Sequence, residues 1–319
     1  MNEFEIIGRY FKNLTADDPR VIYGIGDDAA VLDVPEGYEL VVSVDTLVSG
    51  IHFTRDVDPR DLGFKALAVN LSDLAAMGAE PGWATLALTI PDKNISWIEG
   101  FASGFSELAT RYTVALIGGD LTHGPLSVTV QIMGLVPSGT AIRRDGAGIG
   151  DDIYISGYPG EAGYALLVDK GEIIRSAMDD GHCRDRLLRP IPRLDLGSGI
   201  RTLASAAIDV SDGLAADLGH ILSSSSVGAR IELTRIPLRQ PLAGLSDGNR
   251  LWDVILPSGD DYELCFSAPV GMRRRINNIA AGMDYPVTRI GSIVAGDGIR
   301  FILEDGSEYL LKRHGYEHF

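Results

Sequence analysis

The sequence predicts an α+β protein built from two domains. Its 319 residues are enough for two domains of ordinary size, each with a sizeable core. Strand-like and helix-like patterns are mixed in both halves of the chain, which is typical of α+β domains. The segment 137–150, PSGTAIRRDGAGIG, is rich in Gly, Ser and Arg and separates the two halves. We therefore expect domains at residues 1–138 and 149–319.

The first half begins with a predicted hairpin, in which VLDV (31–34) and YELVVSVDTL (38–47) flank a turn at PEG. A helix is predicted to begin at Pro59, with Asp58 as its N-cap and an apolar stripe along one face. The remaining elements are a helix and two strands, at 95–111, 113–119 and 126–136.

The second half alternates strands and helices after the glycine-rich segment. A short apolar strand at 207–210, AIDV, leads into a helix in 211–226 whose start is expected to be capped by Ser211 or Asp212. Further strands are predicted at 152–157, 229–233, 262–268 and 288–294, before the closing stretch 299–311. Further helices are predicted at 161–169, 195–206 and 273–283.

Composition narrows the class of protein. Acidic residues outnumber basic ones by 44 to 28, a formal charge of −16, which disfavours nucleic acid or an anionic membrane as the main partner. No stretch approaches the ~20 apolar residues of a membrane helix, and the start MNEFEIIGRYF lacks the pattern of a secretory signal. Two cysteines argue against a disulfide framework or a zinc ribbon. We expect a cytoplasmic protein.

Carboxylates recur where apolar strands end or helices begin. They are Asp27, Asp28, Asp45, Asp120, Asp209, Asp212, Asp260 and Asp261. Asp73 instead lies within a helical pattern, one turn from Asn70 on the same face. Taken singly, an Asp beside Gly is usually a turn or cap residue. If the loops converge, like charges ~4 Å apart repel by about 4 kcal/mol per pair at an effective dielectric of 20, so the site needs cations. Oxygen ligands without clustered His or Cys suit Mg²⁺.

The common nucleotide-binding motifs do not fit. No lysine completes a G-x-x-x-x-G-K-[ST] loop, which disfavours a P-loop kinase. Gly24 and Gly26, with Asp45 about twenty residues on, match part of a Rossmann fingerprint. That site needs a helix directly after the glycines, and here a hairpin is predicted instead.

The segments that carry these acids resemble one family, the thiamine-monophosphate kinases of the aminoimidazole-ribonucleotide-synthetase-like (PurM-like) ATP-binding superfamily. The resemblance covers almost the whole chain. It rests on GIGDDAAVL, SVDTLVSGIHF, KALAVNLSDLAAMGAEP, LIGGDLTHGPLSVTV, DVSDGLAADLGHI, SGDDYELCF and the closing KRHGYEHF. NLSDLAAMGA and GGD are shared with sister families, whereas VDTLVSGIHF and the terminal GYEHF indicate this one.

The resemblance implies a two-domain PurM-like fold, with an N-terminal α/β domain that pairs sheet to sheet in a homodimer and a C-terminal α+β domain. It implies ATP as co-substrate and several Mg²⁺ ions at the domain boundary. The implied metal ligands are Asp28, Asp45, Asp73, Asp120, Asp209 and Asp212. The implied nucleotide contacts are Ser43, Tyr112, Gly119, Asp120, Arg144 and Ser211. The implied contacts to thiamine phosphate are His52, Asp260 and Tyr316.

Several of these assignments keep a structural alternative. Arg144 is either a ligand of an ATP phosphate or a solvated linker charge, Tyr112 flanks the nucleotide or ends its helix in the core, and Tyr316 lines the pocket or packs on the surface. The sequence also departs from the family pattern twice. Val44 stands where Thr is frequent, so only its carbonyl can be a ligand, and Asp260 replaces a longer Glu.

The resemblance implies transfer of the γ-phosphoryl group of ATP to thiamine monophosphate, without a general base because the acceptor is already an anion. Selenophosphate synthetase, a sister enzyme, carries an N-terminal Cys or selenocysteine, whereas the first cysteine here is Cys183. Aminoimidazole-ribonucleotide synthetase lacks the GIHF segment. A non-catalytic cation-binding module of the EF-hand type gathers its ligands within twelve residues, and here they spread along most of the chain.

GIGDD occurs twice, at 24–28 and 148–152. We expect the first copy to supply a metal ligand, Asp28. In the second copy, Asp151 and Asp152 are expected only to shape the turn.

Overall fold

The structure of the chain is a computed structural model that describes residues 2–12, 14–15, 17–179, 181–245, 248–313 and 315–316, without the side chains of 248–250. It divides into two units. The first comprises Met1–Leu74 and Ala79–Thr140, and the second comprises Ala75–Gly78 and Ala141–Phe319. Within the described ranges, no helix is both long and apolar enough to cross a bilayer.

The first unit is built on a four-stranded sheet. Its elements are α1 (Glu3–Ile6), a π-helical turn (Ile7–Phe11), β1 (Val21–Tyr23), β2 (Val31–Leu32), β3 (Tyr38–Val48), α2 (Pro59–Ala76), β4 (Glu80–Ile90), α3 (Ile95–Arg111), β5 (Ala115–His123) and β6 (Ser127–Pro137). The strand order is β3-β6-β4-β5, with β4 and β5 parallel and the other neighbours antiparallel. β1 and β2 form a separate antiparallel pair.

The predicted hairpin between 31–34 and 38–47 is wrong. β2 pairs with β1, while β3 pairs along its whole length with β6, from Tyr38 opposite Pro137 to Val48 opposite Ser127. β3 is eleven residues long and β2 only two, so the long-range partner offers β3 far more ladder hydrogen bonds than the local one. The elements that directly follow Gly26 are the strands β2 and β3 and not a helix, in agreement with the rejection of a Rossmann site.

Strand β4 was missed by the sequence analysis. Its sequence, EPGWATLALTI, contains Pro, Gly and a nearly unbroken apolar run, so polar and apolar residues do not alternate. The strand lies between β6 and β5, and most of its residues are buried. A central strand covered on both faces loses the alternation by which a half-exposed strand is recognised.

Helix α2 begins as the sequence predicts. Asp58 accepts the N–H of Arg60 on its side chain at 2.8 Å, and its carbonyl accepts the N–H of Leu62 at 3.0 Å. Two glycines then let α2 and α3 approach closely. A Cβ on Gly63 would lie 2.1 Å from the carbonyl oxygen of Phe101, and a Cβ on Gly104 would lie 1.8 Å from that of Arg60.

The two faces of the first sheet are covered differently. Ser43 on β3 bonds Asp73 on α2, so the odd-numbered side chains of β3 face the helix. On the other face, the β1–β2 pair packs over Trp83 and its neighbours. The even-numbered apolar side chains of β3 stay exposed, at 41% for Leu40, 48% for Val42 and 57% for Val44. An exposed apolar stripe on an edge strand is a feature that soluble proteins usually cover.

The second unit is built on a seven-stranded sheet. Its elements are β7 (Asp152–Ser156), α4 (Glu161–Asp169), α5 (His182–Leu188), α6 (Leu194–Ile200), β8 (Ala206–Asp209), α7 (Leu214–Ser225), β9 (Gly228–Glu232), α8 (Gly248–Ile255), β10 (Leu264–Ala268), α9 (Arg273–Ala280), β11 (Val287–Val294), β12 (Ile299–Ile302) and β13 (Glu308–Tyr309). The strand order is β13-β12-β9-β11-β7-β10-β8, in which β9 and β12 run parallel and the other neighbours antiparallel. Strands β7, β8 and β10 are buried throughout.

Two helix predictions in this unit need correction. The helix expected at 195–206 ends at Ile200, because the N–H groups of Leu203 and Ala204 both return to the Ile200 carbonyl in a turn before β8. Helix α7 starts after Gly213, whose φ is +122°, and neither Ser211 nor Asp212 caps it with a side chain.

The second GIGDD copy separates into two roles. Asp151 accepts the N–H of Gly148 at 3.0 Å and the hydroxyl of Ser205, so it shapes the turn as predicted. The same prediction is wrong for Asp152, a buried strand residue that receives hydrogen bonds from Arg273 at 2.5 and 2.7 Å and from Arg289 at 3.2 Å. Burial opposes the charge of Asp152, but the two guanidinium groups outweigh it and hold its pKa below the usual value.

Candidate functional site

Asp45 is held in the middle of β3 by a neighbour on α2. Its backbone N–H donates to the side-chain oxygen of Asn70 at 3.1 Å. Asn70 is fully buried and donates its own amide to the carbonyl of Ala66 at 3.0 Å. Because both ends of the Asn70 amide are engaged, the position of Asp45 relative to α2 is fixed.

Ser43 and Asp73 form a second contact between the same elements. The Ser43 hydroxyl donates to a carboxylate oxygen of Asp73 at 2.6 Å. Ser43 and Asp45 are two residues apart on β3 and therefore point to the same face. Three predicted site residues therefore share one side of the first sheet: Ser43 and Asp45 on β3, and Asp73 on α2.

Gly119 and Asp120 lie on β5, at the far side of this sheet. Gly119 has a φ of +149°, and a Cβ there would lie 1.9 Å from the carbonyl oxygen of Leu86, so no other residue fits. Through Leu86 and Val130, Gly119 occupies the same row of the sheet as Asp45. Three strand spacings put these two positions about 14 Å apart.

Asp120 lies on the opposite face from Asp45. It pairs with Ala87, which pairs with Thr129, and Thr129 opposes Thr46. The Thr46 and Thr129 hydroxyls bond to each other at 2.9 Å on the outer face. Within the first unit, therefore, the structure does not bring Asp120 together with Asp45 and Asp73.

Asp28 lies in the exposed turn between β1 and β2. Gly26 has a φ of +119°, and the carboxylate of Asp27 accepts the N–H of Asp28 at 2.9 Å. The first of the two adjacent acids therefore shapes the turn that carries the second.

His52 follows β3 in a tight loop. Its ring nitrogen Nδ1 accepts the backbone N–H of Val48 at 3.0 Å. The backbone N–H of His52 donates to the Val48 carbonyl, also at 3.0 Å. An acceptor at Nδ1 places the proton of the neutral ring on Nε2. The neutral ring thus offers a hydrogen-bond donor at Nε2. Tyr112 is the half-buried residue that ends α3, where its N–H returns to the carbonyl of Leu108.

In the second unit, four predicted site residues meet at the loop before α7. The carbonyl of Ser211 accepts the N–H of Asp260 at 2.9 Å, and the carbonyl of Asp212 accepts the N–H of Tyr316 at 3.1 Å. Asp209, which ends β8, lies two residues before this loop and is buried. The structure therefore joins residues predicted to contact phosphate or metal with residues predicted to contact thiamine.

The segment 259–262, which bonds to this loop, has a strained backbone. Asp260 and Tyr262 are not glycines, yet their φ values are +66° and +51°. Such conformations cost of order 1 kcal/mol each and cluster at ligand sites. A Cβ on Gly259 would lie 2.1 Å from the Ser211 carbonyl oxygen, so this chain crossing also requires glycine.

The remaining predicted residues lie near the two ends of the second unit's sequence. Arg144 is exposed, and its carbonyl accepts the hydroxyl of Ser225 at 2.9 Å. Gly315 and Tyr316 of the closing motif are described, whereas His314 and residues 317–319 lie outside the described residues.

Comparison with known proteins identifies the family. The model for AIR synthase related protein, N-terminal domain, matches residues 26–136, and that for the C-terminal domain matches residues 148–304. Thiamine-monophosphate kinase of Escherichia coli (strain K12) is 46% identical over 320 residues, covering 99% of this chain and 98% of its own. This chain belongs to the thiamine-monophosphate kinase family. The predicted α+β class with two PurM-like domains is confirmed.

Solved structures agree with the family. Thiamine-monophosphate kinase from Stenotrophomonas maltophilia K279a is 45% identical, with a TM-score of 0.84 and 96% of each chain covered. AaThiL complexed with AMPPCP and TMP is 30% identical, with a TM-score of 0.77, covering 90% of this chain and 89% of its own.

Two polar residues that organise the site escaped the sequence analysis as functional residues. Asn70 was noted only as a neighbour of Asp73, and Asp217 was read as part of an ordinary helix. A polar side chain in the buried stripe of a helix is the signal that singles out both, since each is 2% exposed or less. Burial raises the pKa of Asp217 to about 7, against three backbone N–H groups that lower it.

No group of three or more His, Cys, Asp or Glu side chains within the described ranges is arranged to hold a metal ion. The donor chemistry nevertheless suits Mg²⁺. The predicted ligands offer carboxylate and hydroxyl oxygens, in the first unit on one face of β3 and α2 and in the second unit on the loop 209–212.

Proposed function

We propose that this chain is an enzyme that transfers the γ-phosphoryl group of ATP to the phosphate of thiamine monophosphate, giving thiamine diphosphate and ADP. The observation that carries the proposal is the 46% identity, over 99% of the chain, to a thiamine-monophosphate kinase. AaThiL, a relative complexed with AMPPCP and TMP, supports an ATP-like nucleotide as co-substrate.

The test is ADP release from Mg-ATP with a panel of acceptors. Thiamine monophosphate is expected to sustain turnover, whereas thiamine and purine-pathway phosphoribosyl compounds should give only the background rate. Turnover with a purine precursor but not with thiamine monophosphate would instead assign the chain to a sister activity.

The reaction needs no general base from the protein. The second pKa of a phosphate monoester is near 6, so the acceptor is mostly a dianion at pH 7–8. Transfer between two anions requires alignment and neutralisation of charge. His52 fits this role as a donor, because its Nδ1 is occupied by Val48 and the proton of the neutral ring is on Nε2. We assign His52 to binding of the substrate phosphate.

His52→Ala is expected to raise KM for thiamine monophosphate about tenfold, the equivalent of one hydrogen bond to a charged group, and to lower kcat less than threefold. Steady-state kinetics over pH 5.5–9 measures both constants. His220→Ala, an exposed histidine on α7, is the matched control and should change neither. A ~10³-fold loss of kcat at unchanged KM, with loss of a pH limb near 6.5, would identify His52 as a general base.

The residues that would hold Mg²⁺ are the predicted acids Asp28, Asp45, Asp73, Asp120, Asp209 and Asp212. We propose that they bind several ions rather than one, since Asp45 and Asp120 lie on opposite faces of the first sheet. Mg²⁺ held by these residues would supply positive charge to phosphate oxygens during the transfer. The protein supplies rigid oxygen donors, such as Asp73 held by Ser43.

Thermal stability is expected to depend on metal and nucleotide together. Mg²⁺ with AMPPCP at 100 times its Kd should stabilise the protein by about 3 kcal/mol, while Mg²⁺ or AMPPCP alone should give a much smaller increment. A melting series with each addition, in wild type and in Asp45→Asn, measures this. Equal melting temperatures under all conditions would contradict a site of charge-neutralised carboxylates.

We propose Gly119 and Tyr112 of the first unit, and Arg144 and Ser211 of the second unit, as nucleotide contacts. Gly119 is proposed as a close backbone contact of the nucleotide on β5, although the space of its missing Cβ is taken by the carbonyl oxygen of Leu86. The exposed Arg144 supplies a positive charge for an ATP phosphate. Ser211 is proposed to add a hydroxyl group, and Tyr112 is proposed to flank the nucleotide.

The thiamine end of the substrate is proposed to lie at Asp260 and Tyr316. The thiazolium ring carries a positive charge, which suits a carboxylate and the face of an aromatic ring. Both residues bond through their backbones to the loop that carries Ser211 and Asp212. The residues proposed to bind thiamine are therefore hydrogen-bonded to the loop whose residues are proposed to bind phosphate and metal.

We propose that the protein is a homodimer that pairs through the exposed face of β3. Leu40, Val42 and Val44 supply the apolar stripe of that face. Val44→Lys should weaken self-association at least tenfold in sedimentation experiments, because it buries a charge in the interface. Ile174→Lys, at a residue 93% exposed in the second unit, is the control. Unchanged association of Val44→Lys would rule out this face.

We place the enzyme in the cytoplasm. Cys183 and Cys265 are both buried thiols, in keeping with a reducing compartment.

A further inference from the structure

One carboxylate oxygen gathers the backbone of the loop before α7. Oδ2 of Asp217 accepts the N–H groups of Ser211 at 3.0 Å, Asp212 at 3.0 Å and Gly213 at 3.1 Å. Asp217 is 2% exposed and lies in the first turn of α7. An acid at this position also interacts favourably with the positive end of the helix dipole.

Three successive N–H groups that converge on one point form an anion-binding nest. In many phosphate-binding proteins, a substrate phosphate occupies such a nest at the start of a helix. Here the oxygen of Asp217 fills it. The N–H groups of 211–213 are therefore already committed to Asp217, so the loop offers its side chains rather than these N–H groups to a phosphate.

The carbonyl oxygens of Ser211 and Asp212 also accept hydrogen bonds. Asp260 and Tyr316 donate to the carbonyls of Ser211 and Asp212. A Cβ on Gly213 would lie 2.7 Å from the carbonyl carbon of Pro257, so the loop has little room to shift. The backbone of 211–212 is thus fixed from two sides, by Asp217 on one and by the substrate-binding segments on the other.

We propose that Asp217 is a positioning residue for phosphoryl transfer, a buried carboxyl side chain that fixes the backbone from which Ser211 and Asp212 bind Mg-ATP. The inference rests on the proposed function of those two residues. It assigns to Asp217 no contact with substrate and no proton transfer. Its role is to keep the nest filled, so that nucleotide phosphates are held by the side chains of the loop and not by its N–H groups.

Asp217→Asn tests the proposal, because it keeps the size and shape of the side chain but replaces the carboxyl group that accepts the three N–H bonds by an amide with one oxygen acceptor and two N–H donors. Hydrogen exchange of a peptide that contains residues 211–213, measured without nucleotide, should be at least tenfold faster in the variant. Calorimetry should show Mg-AMPPCP binding at least 30-fold weaker. Asp152→Asn, which removes another buried carboxylate of the same unit, should leave both quantities within threefold.

Wild-type exchange gives a second measurement that does not depend on the variant's folding. The amides of 211–213 should be strongly protected in the nucleotide-free enzyme, and exchange at the rate of an unstructured chain would overturn the proposal. Unchanged exchange and unchanged Mg-AMPPCP affinity in Asp217→Asn would also overturn it. Turnover of thiamine monophosphate by wild type is scored separately, so failure of the proposed function and failure of this role are distinguishable.

Discussion

Asp45→Asn is expected to lower kcat about 10³-fold, with the protein still folded. Loss of one electrostatic contact to the reacting group costs about 10²–10³ in rate, and here the contact also recruits a metal ion. The substitution keeps the shape of the side chain and removes its charge. The backbone bond from Asp45 to Asn70 does not involve the carboxylate, so β3 and α2 should stay in place. Steady-state turnover at saturating Mg-ATP, with circular dichroism for folding, measures both effects.

Asp151→Asn is the matched control, from the second GIGDD copy. Asp151 bonds the turn at Gly148 and the hydroxyl of Ser205, and we assign it no ligand. Its replacement should leave kcat within a few-fold of wild type. If the two variants lost activity equally, the separation of the two GIGDD copies into a site loop and a structural turn would be wrong.

Glu263→Gln is expected to destabilise the second unit by about 3–5 kcal/mol, the cost of leaving buried charges without their counter-ion. Glu263 is fully buried and accepts hydrogen bonds from Arg193 at 2.6 and 2.5 Å, Arg186 at 2.7 Å and Ser156 at 2.5 Å. Arg193 also stacks 3.7 Å from the ring centre of Tyr285. The free energy of unfolding from urea titration, compared with wild type, measures the loss.

The difference in unfolding free energy between wild type and Glu263→Gln should depend on pH in one direction. Burial opposes the charge of Glu263, but Arg193 and Arg186 outweigh it and lower the pKa below the ordinary value. A group whose pKa is lowered by folding stabilises the protein above its unfolded pKa of about 4.3, and that stability is lost as the pH falls. The gap between wild type and Glu263→Gln should therefore be full at pH 7 and narrow below about pH 4.

Glu232→Gln provides the comparison at a partly exposed ion pair. Glu232 bonds Arg235 and Arg230 near the surface, where such pairs contribute about 0–1 kcal/mol. A similar loss in both variants would mean that the buried network around Glu263 contributes no more than an ordinary surface pair.

Local patterns in the sequence predicted much of the fold. Asp58 caps α2, and the apolar strand at 207–210 leads into a helix, because both features depend on neighbours in the chain. The family motifs located the acidic loops, and the structure links Ser211 to Asp260 and Asp212 to Tyr316. These contacts join three segments that each contain a glycine, namely Gly213, Gly259 and Gly315.

Long-range pairing and buried polar bonds were harder to predict. The pairing of β3 with β6 displaced the expected hairpin with β2, and β4 has no alternation because it is covered on both faces. Asp217 looked like an ordinary helix residue, since nothing in local spacing shows that its side chain turns back to three N–H groups. The opposite faces of Asp45 and Asp120 follow only from strand register.

The destination of the γ-phosphoryl group tests the central claim most directly. With [γ-³²P]ATP, Mg²⁺ and thiamine monophosphate, direct transfer should place the label in thiamine diphosphate, in amounts equal to the ADP formed. Asp45→Asn should form labelled product and ADP about 10³-fold more slowly than wild type. Label recovered as inorganic phosphate in amounts equal to ADP, with unlabelled or no thiamine diphosphate, would contradict the account and indicate that ATP is used to activate a different acceptor.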